Sequence, residues 1–252
     1  MARDLRAVRS GILDAVHLLF PPRCLCCGEA VASDFGLCPA CWHEADFITD
    51  PCCERCGAPL PGAAEDADAG APLHCDECLA APPPWDHGRA ALRYAGTGRR
   101  LVLALKHGDR LDLVKPLAAW MIRAARPLVS PETIVAPVPL HRLRLVTRRY
   151  NQSALLARAL ARGLGLAHAP DLLQRTRATP SQEGRDRDAR HANLAGAIAP
   201  HPRRGALMQG RPVLLVDDVM TSGATLRAAT RACLDAGAVS VSVVVLARVA
   251  RD

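Results

Sequence analysis

The stretch Val213–Thr225 reads VLLVDDVMTSGAT. An apolar run ends on two adjacent acids, and small residues then lead through Gly223 into the helical pattern of Thr225–Ala236. A continuous apolar run is how a strand buried on both faces of a parallel sheet reads. The expected order is strand (Val213–Asp217), loop, helix. At the N-terminus of a helix the unpaired N–H groups and the macrodipole favour an anion, so the loop is a candidate phosphate cradle. Gly223 permits the tight curvature that lets successive N–H groups converge, and Thr221, Ser222 and Thr225 add hydroxyl donors. Asp217 and Asp218 fall where open α/β sheets bind ligands, at the carboxyl end of a strand, and can accept hydrogen bonds from ribose hydroxyls. A buried strand followed by an ordinary turn is the simpler alternative, but two adjacent acids at a buried strand end are an expensive structural choice.

Outward from this stretch, short apolar runs alternate with helical patterns from His87 onward, which predicts an α/β domain with a largely parallel, Rossmann-like sheet. The expected strands are Ala90–Tyr94, Thr133–Val138, Leu194–Ala199, Val213–Asp217 and Val239–Leu246. Helical spacing runs over Leu101–Lys106, Leu113–Ala125, Gln152–Leu164 and Thr225–Ala236, with Gly163 and Gly237 as stops.

Of 11 cysteines, all but Cys233 lie between Cys24 and Cys78. Cys24, Cys27, Cys38 and Cys41 read C-x2-C-x10-C-x2-C; Cys53, Cys56, Cys75 and Cys78 read C-x2-C-x18-C-x2-C. Each C-x-x-C turn brings two thiolates together, and a second turn completes the four-sulfur cage that Zn2+ accepts, so two structural zinc sites are expected. Paired knuckles suit ribbons better than an Fe–S cluster, which is the alternative. Gly28 and Gly57 follow the second cysteine of a knuckle, where the backbone turns toward the sulfur. Cys26 and Cys52 stand beside ligands as spares, His43 and His74 read as surface residues, and Cys233 reads as core. Pro59–Pro72 has loop composition, and Leu79–Pro84 marks a boundary. The predicted organisation is an N-terminal amphipathic helix over 1–22, a double zinc ribbon over 23–84 and an α/β domain over 87–252.

Composition sets outer limits. In 252 residues, half of them apolar, a sizeable core is possible, built from aliphatic side chains because aromatics make up only 3%. A net charge of +7 suits an anionic partner without identifying one. The only lysines are Lys106 and Lys115, so the positive charge is almost all arginine. No uninterrupted apolar run approaches the ~18–20 residues a membrane span needs. Asp14 and His17 interrupt any signal-peptide core, leaving Leu5, Val8, Ile12, Val16 and Leu19 as the stripe of a helix that packs on its own domain or on a membrane or partner surface. A cytoplasmic location is expected.

The acids and the T-S-G-A-T loop resemble the phosphoribosyl diphosphate (PRPP) signature of type I phosphoribosyltransferases. Response-regulator receiver domains share paired aspartates at a strand end, but near the domain start and without T-S-G-A-T. LALKHG at 103–108, PVPLHRLRLVTRRYNQ at 137–152 and TPSQEGRDRDARHAN at 179–193 narrow the likeness, together with the ribbons, to the competence protein F family. That family couples a double zinc ribbon to a phosphoribosyltransferase-like domain and is associated with DNA uptake in natural transformation. One departure is Arg185-Asp186, where the family usually has Leu-Ser.

The resemblance implies a type I phosphoribosyltransferase fold and a PRPP site holding Mg2+. Asp217 and Asp218 would hold the ribose hydroxyls and support a developing oxocarbenium, while Val219, Met220, Thr221, Ser222, Gly223, Ala224 and Thr225 form the 5-phosphate stretch. Arg148 and Arg149, in the Pro139–Tyr150 loop, and Lys106 would meet the diphosphate; Arg187 and Arg190 sit on a segment suited to a lid. The plainer reading of each arginine is a solvated surface, and of Lys106 a helix-end charge meeting the macrodipole. Asn151 and Gln152 fit a helix cap. Three roles follow: a phosphoribosyltransferase with an unknown nitrogen acceptor, a single-stranded DNA-handling protein of the competence machinery with a vestigial site, and a PRPP-responsive adaptor.

Overall fold

The computed structural model describes residues 20–62, 72–140, 150–177 and 196–250. Its strands are β1 (His87–Arg93), β2 (Ile134–Pro137), β3 (Ala167–His168), β4 (Leu173–Arg175), β5 (Ile198–Pro200), β6 (Pro212–Met220) and β7 (Ser240–Arg248). Its α-helices are α1 (Pro39–His43), α2 (Asp76–Ala80), α3 (Gly96–His107), α4 (Val114–Ala125), α5 (Gln152–Leu164) and α6 (Ala224–Asp235).

The two longest strands, β6 and β7, are nine residues each and lie side by side in the five-stranded order β1-β7-β6-β2-β3. Every pairing in this sheet is parallel, with Val213 opposite Val241 and Val216 opposite Val244. Helices cover both faces, which is why β6 reads as an unbroken apolar run rather than an alternation. Val213, Leu215, Val243 and Val245 pack with Leu226, Ala229 and Cys233 of α6. Leu214, Val216, Val244 and Leu246 pack with Leu101 and Leu105 of α3, Leu117 and Met121 of α4, and Leu156 and Leu160 of α5. Each fully buried leucine here contributes about 1.5–3 kcal/mol of transfer free energy.

Helix α5 shows how local chemistry sets the bounds. The Asn151 side chain accepts from the Ser153 N–H as N-cap, and Gly165 closes the helix in the left-handed region at φ 69°. The stop expected at Gly163 is therefore two residues later. Its buried stripe is Leu156, Ala157, Leu160 and Ala161, at the spacing of one helix face.

Two of the expected strands need correction. Strand β6 continues past Asp217 to Met220, because β7 pairs with it as far as Met220–Arg248; both acids thus lie inside the strand. The segment expected as a sheet strand at Leu194–Ala199 instead supplies β5, which pairs antiparallel with β4 in a separate two-stranded sheet. Strands β3 and β4 have two and three residues and too little pattern to be read. The expected N-terminal helix falls on residues 1–19, outside the described residues, and Phe20–Pro22 is not helical.

The cysteine-rich segment straddles the β1 edge of the sheet. Leu25 and Ala45 join the core beneath α3 and α4, whereas Cys53, Cys56, Cys78 and Trp85 join the opposite core with α6. Between them, the Ile48 N–H donates to Ala91 O and the Arg93 N–H to Asp46 O, each at 3.0 Å, so the edge strand is covered rather than open. Gly57 marks one close approach. It has φ +66°, and a Cβ there would lie 2.6 Å from the Ala90 nitrogen.

Candidate functional site

At the carboxyl end of β6, the two acids are held by neighbours from two helices. Ser153 Oγ, in the first turn of α5, donates to Asp217 Oδ1 at 2.8 Å, and the Asp218 N–H donates to the same oxygen at 2.9 Å. Burial first, and the adjacent Asp218 carboxylate second, raise the Asp217 pKa to about 7. Asp218 is buried and pairs through Oδ1 with Lys106 Nζ at 3.1 Å. Lys106 thus reaches the acids, beyond what a helix-end charge requires.

The last turn of α3 is itself anchored. Tyr150 Oη donates to Leu105 O at 3.0 Å and Gln152 Nε2 to Lys106 O at 3.4 Å, so residues at the start of α5 hold the backbone that carries Lys106. Asn151 caps α5 as expected and also donates through Nδ2 to Val138 O at 3.2 Å, tying the helix start to the end of β2.

The Thr221–Thr225 stretch curves into a concavity lined by Asp217 and by Val219 through Leu226. Gly223 precedes α6 at φ +71°, and a Cβ there would lie 3.0 Å from the Trp85 ring. The loop's carbonyl side is bound by a residue that sequence reasoning missed. Arg248, at the end of β7 and only 5% exposed, donates from Nη1 to Thr221 O at 2.7 Å, to Met220 O at 3.4 Å and to Val249 O. An arginine ending a run of buried valines was the available signal. Asp217, Asp218, Lys106 and the 219–225 stretch therefore come together at one sheet end. Arg148, Arg149, Arg187 and Arg190 lie outside the described residues.

The thiols gather into two groups, Cys24, Cys27, Cys38 and Cys41, and Cys53, Cys56, Cys75 and Cys78, with the sulfurs of each group all within 4.8 Å of one another. Cys27 and Cys38 are 3.6 Å apart through Sγ, as are Cys56 and Cys75. A tetrahedral ion with Zn–S near 2.3 Å needs sulfurs roughly 3.8 Å apart, so both groups fit zinc. Cys26 and Cys52 belong to neither, the latter donating its thiol to Asp50 Oδ1 at 3.3 Å. His43 and His74 are also outside both groups. Cys233 is fully buried, which pushes its thiol up to about 12, as suits a core residue.

A helix-covered parallel sheet with this acid pair and loop, joined to two four-cysteine clusters, defines a phosphoribosyltransferase-type domain carrying a double zinc ribbon. Comparison with known families agrees: residues 15–79 match the double zinc ribbon domain, and residues 151–252 match the phosphoribosyl transferase domain. DNA utilization protein YhgH of Escherichia coli strain K12 is 31% identical over 238 residues, 92% of this chain and 99% of the relative. The Salmonella typhi protein of the same name is 33% identical over 239 residues, with the same two shares. Competence protein F of Haemophilus influenzae is 30% identical over 233 residues, covering 90% of this chain and 96% of that one. The chain belongs to the competence protein F family.

Proposed function

We propose that the chain binds PRPP with Mg2+ at the carboxyl end of its sheet, transfers the phosphoribosyl group to a nitrogen acceptor, and acts in DNA uptake or utilisation. The observation that carries this reading is that Asp217, oriented by Ser153, lines the same concavity as Thr221–Thr225. The N–H groups and hydroxyls of that loop bind the 5-phosphate. Asp217 and Asp218 accept hydrogen bonds from the ribose hydroxyls and stabilise the positive charge that develops as diphosphate departs. Lys106 exchanges its ion pair with Asp218 for the diphosphate. Arg148 and Arg149 extend that contact, and Arg187 and Arg190 close over the leaving group. Mg2+, when bound with PRPP, neutralises charge on the diphosphate.

The eight clustered cysteines hold two zinc ions whose four-sulfur shells leave no open position, so the metal serves folding rather than chemistry. Thiols arranged for metal rather than for disulfides support a cytoplasmic location. The residues divide into a ribbon unit over 23–84 and the transferase-like domain over 87–252. No described helix is long and apolar enough to cross a membrane.

The test is calorimetric titration of the zinc-loaded chain with PRPP, with and without Mg2+, against Asp217→Asn/Asp218→Asn. Magnesium-dependent binding lost in the double variant is the expected result; no binding by the folded wild type would overturn the reading. A second reading, non-catalytic handling of single-stranded DNA, draws support from an aromatic group. Phe47 lies 4.8 Å from the half-exposed Trp42 ring and 5.0 Å from Trp120. Stacked bases use such groups, and this reading requires salt-sensitive oligonucleotide binding that Trp42→Ala weakens.

A further inference from the structure

The second ribbon and the Thr221–Gly223 turn meet through side chains that neither motif contains. The Arg248 guanidinium that takes up the carbonyls of Met220 and Thr221 also pairs, through Nη2, with Glu77 Oε2 at 3.2 Å. Glu77 stands between Cys75 and Cys78 in α2, a helix whose N-cap is Cys75 and whose buried residue is Cys78. Two neighbouring contacts run the same way. Trp85, whose ring backs Gly223, donates its indole N–H to the carbonyl of Arg55, between Cys53 and Cys56. Arg227, in the first turn of α6, donates to Ala81 O at 2.8 Å and Pro82 O at 2.9 Å, and lies 5.7 Å from the Trp85 ring centroid.

A buried guanidinium is tolerated only while its charge is met, because an unpaired buried charge is strongly destabilising. Glu77 supplies the charge, and a C-x-x-C knuckle keeps its shape only while its metal is bound. The first ribbon makes its contacts elsewhere: Arg100 joins Glu44 and Thr97 beside Cys41, on the α3 side of the sheet.

We propose that Arg248 is a positioning residue coupling the Cys53/Cys56/Cys75/Cys78 cluster to the anion loop: metal in that cluster fixes Glu77, Glu77 fixes the guanidinium, and the guanidinium binds the loop carbonyls so that the loop's N–H groups remain for phosphate. This rests on the phosphate reading of the loop. Because coupling between two binding sites is reciprocal, a ligand in the loop raises the metal affinity of this cluster and leaves that of the Cys24/Cys27/Cys38/Cys41 cluster unaffected.

The experiment is amide hydrogen exchange across residues 220–226 in the full zinc-loaded chain, with zinc content measured in parallel, comparing wild type, Glu77→Gln and Arg248→Lys. Glu77→Gln is expected to raise exchange in this segment about tenfold while two zinc ions per chain are retained, and to weaken PRPP binding by a similar factor. Unchanged exchange in zinc-replete Glu77→Gln overturns the proposal. Should Arg248→Lys not fold, Glu77→Gln decides alone, since its carboxylate is partly exposed. Accelerated exchange in a protein whose wild type binds no PRPP would remove the phosphate reading and leave the coupling standing.

Discussion

Replacing Asp217 by Asn should stabilise the ligand-free protein, and increasingly so as pH rises. The carboxyl ionises near 3.8 when unfolded and near 7 in the fold, where burial and Asp218 oppose its charge. A folded-state pKa raised in this way means that the native state holds the proton more tightly. Stability is therefore greatest below the unfolded value and is lost as pH climbs through the window up to the folded one. Integrated over the whole window, the linkage amounts to about 4 kcal/mol. Between pH 6 and pH 8.5, where zinc thiolates persist, about 1 kcal/mol of it falls. In a chain of this length that is roughly 2–4 °C in Tm. Asparagine keeps an oxygen to accept from Ser153 Oγ while removing the charge. The assay is differential scanning calorimetry of wild type and Asp217→Asn at both pH values with zinc content verified. The difference in Tm should favour the variant and widen at the higher pH. A difference that is negative at pH 8.5, or that does not grow between the two, would refute the assignment of a desolvated, charge-opposed carboxylate. The stabilised variant should fail to bind Mg2+ and PRPP, a cost that ties the opposed charge at Asp217 to function.

Two further outcomes follow from the same geometry. Lys106→Met leaves the Asp218 carboxylate buried without its partner at 3.1 Å, and should cost about 3 kcal/mol in urea unfolding near pH 8; adding Asp218→Asn should recover most of that loss. Gly223→Ala meets both a left-handed backbone and the Trp85 ring 3.0 Å away, so it should lower stability by about 1–2 kcal/mol in the same assay and weaken ribose 5-phosphate binding more than Ser222→Ala does.

The parts of the site that were legible in the sequence are those whose chemistry is local. Strand, acids, loop and helix occupy consecutive positions from Val213 to Ala236, and each cysteine knuckle spans four residues, so residue type and spacing suffice to read them. The ends of the long helices were nearly legible for the same reason, since Asn151 and Gly165 act on the turns beside them. The length of β6 was not, because polar residues at 217 and 218 ended the apolar pattern while the backbone pairing with β7 went on. The supports of the site were least visible. Ser153 lies 64 positions from Asp217, and Glu77 lies 171 from Arg248. No periodicity links such pairs, and each of these residues has a plain local reading: a hydroxyl at a helix start, an acid between cysteines, an arginine near the chain's end. What makes supports of Ser153 and Arg248 is burial, which turns an ordinary polar side chain into one that must be satisfied by a particular partner, and Glu77 matters because it is that partner for Arg248. A phosphate loop can thus be recognised from a dozen residues, whereas what holds it in shape emerges only when the sheet brings the end of β7 against the second ribbon.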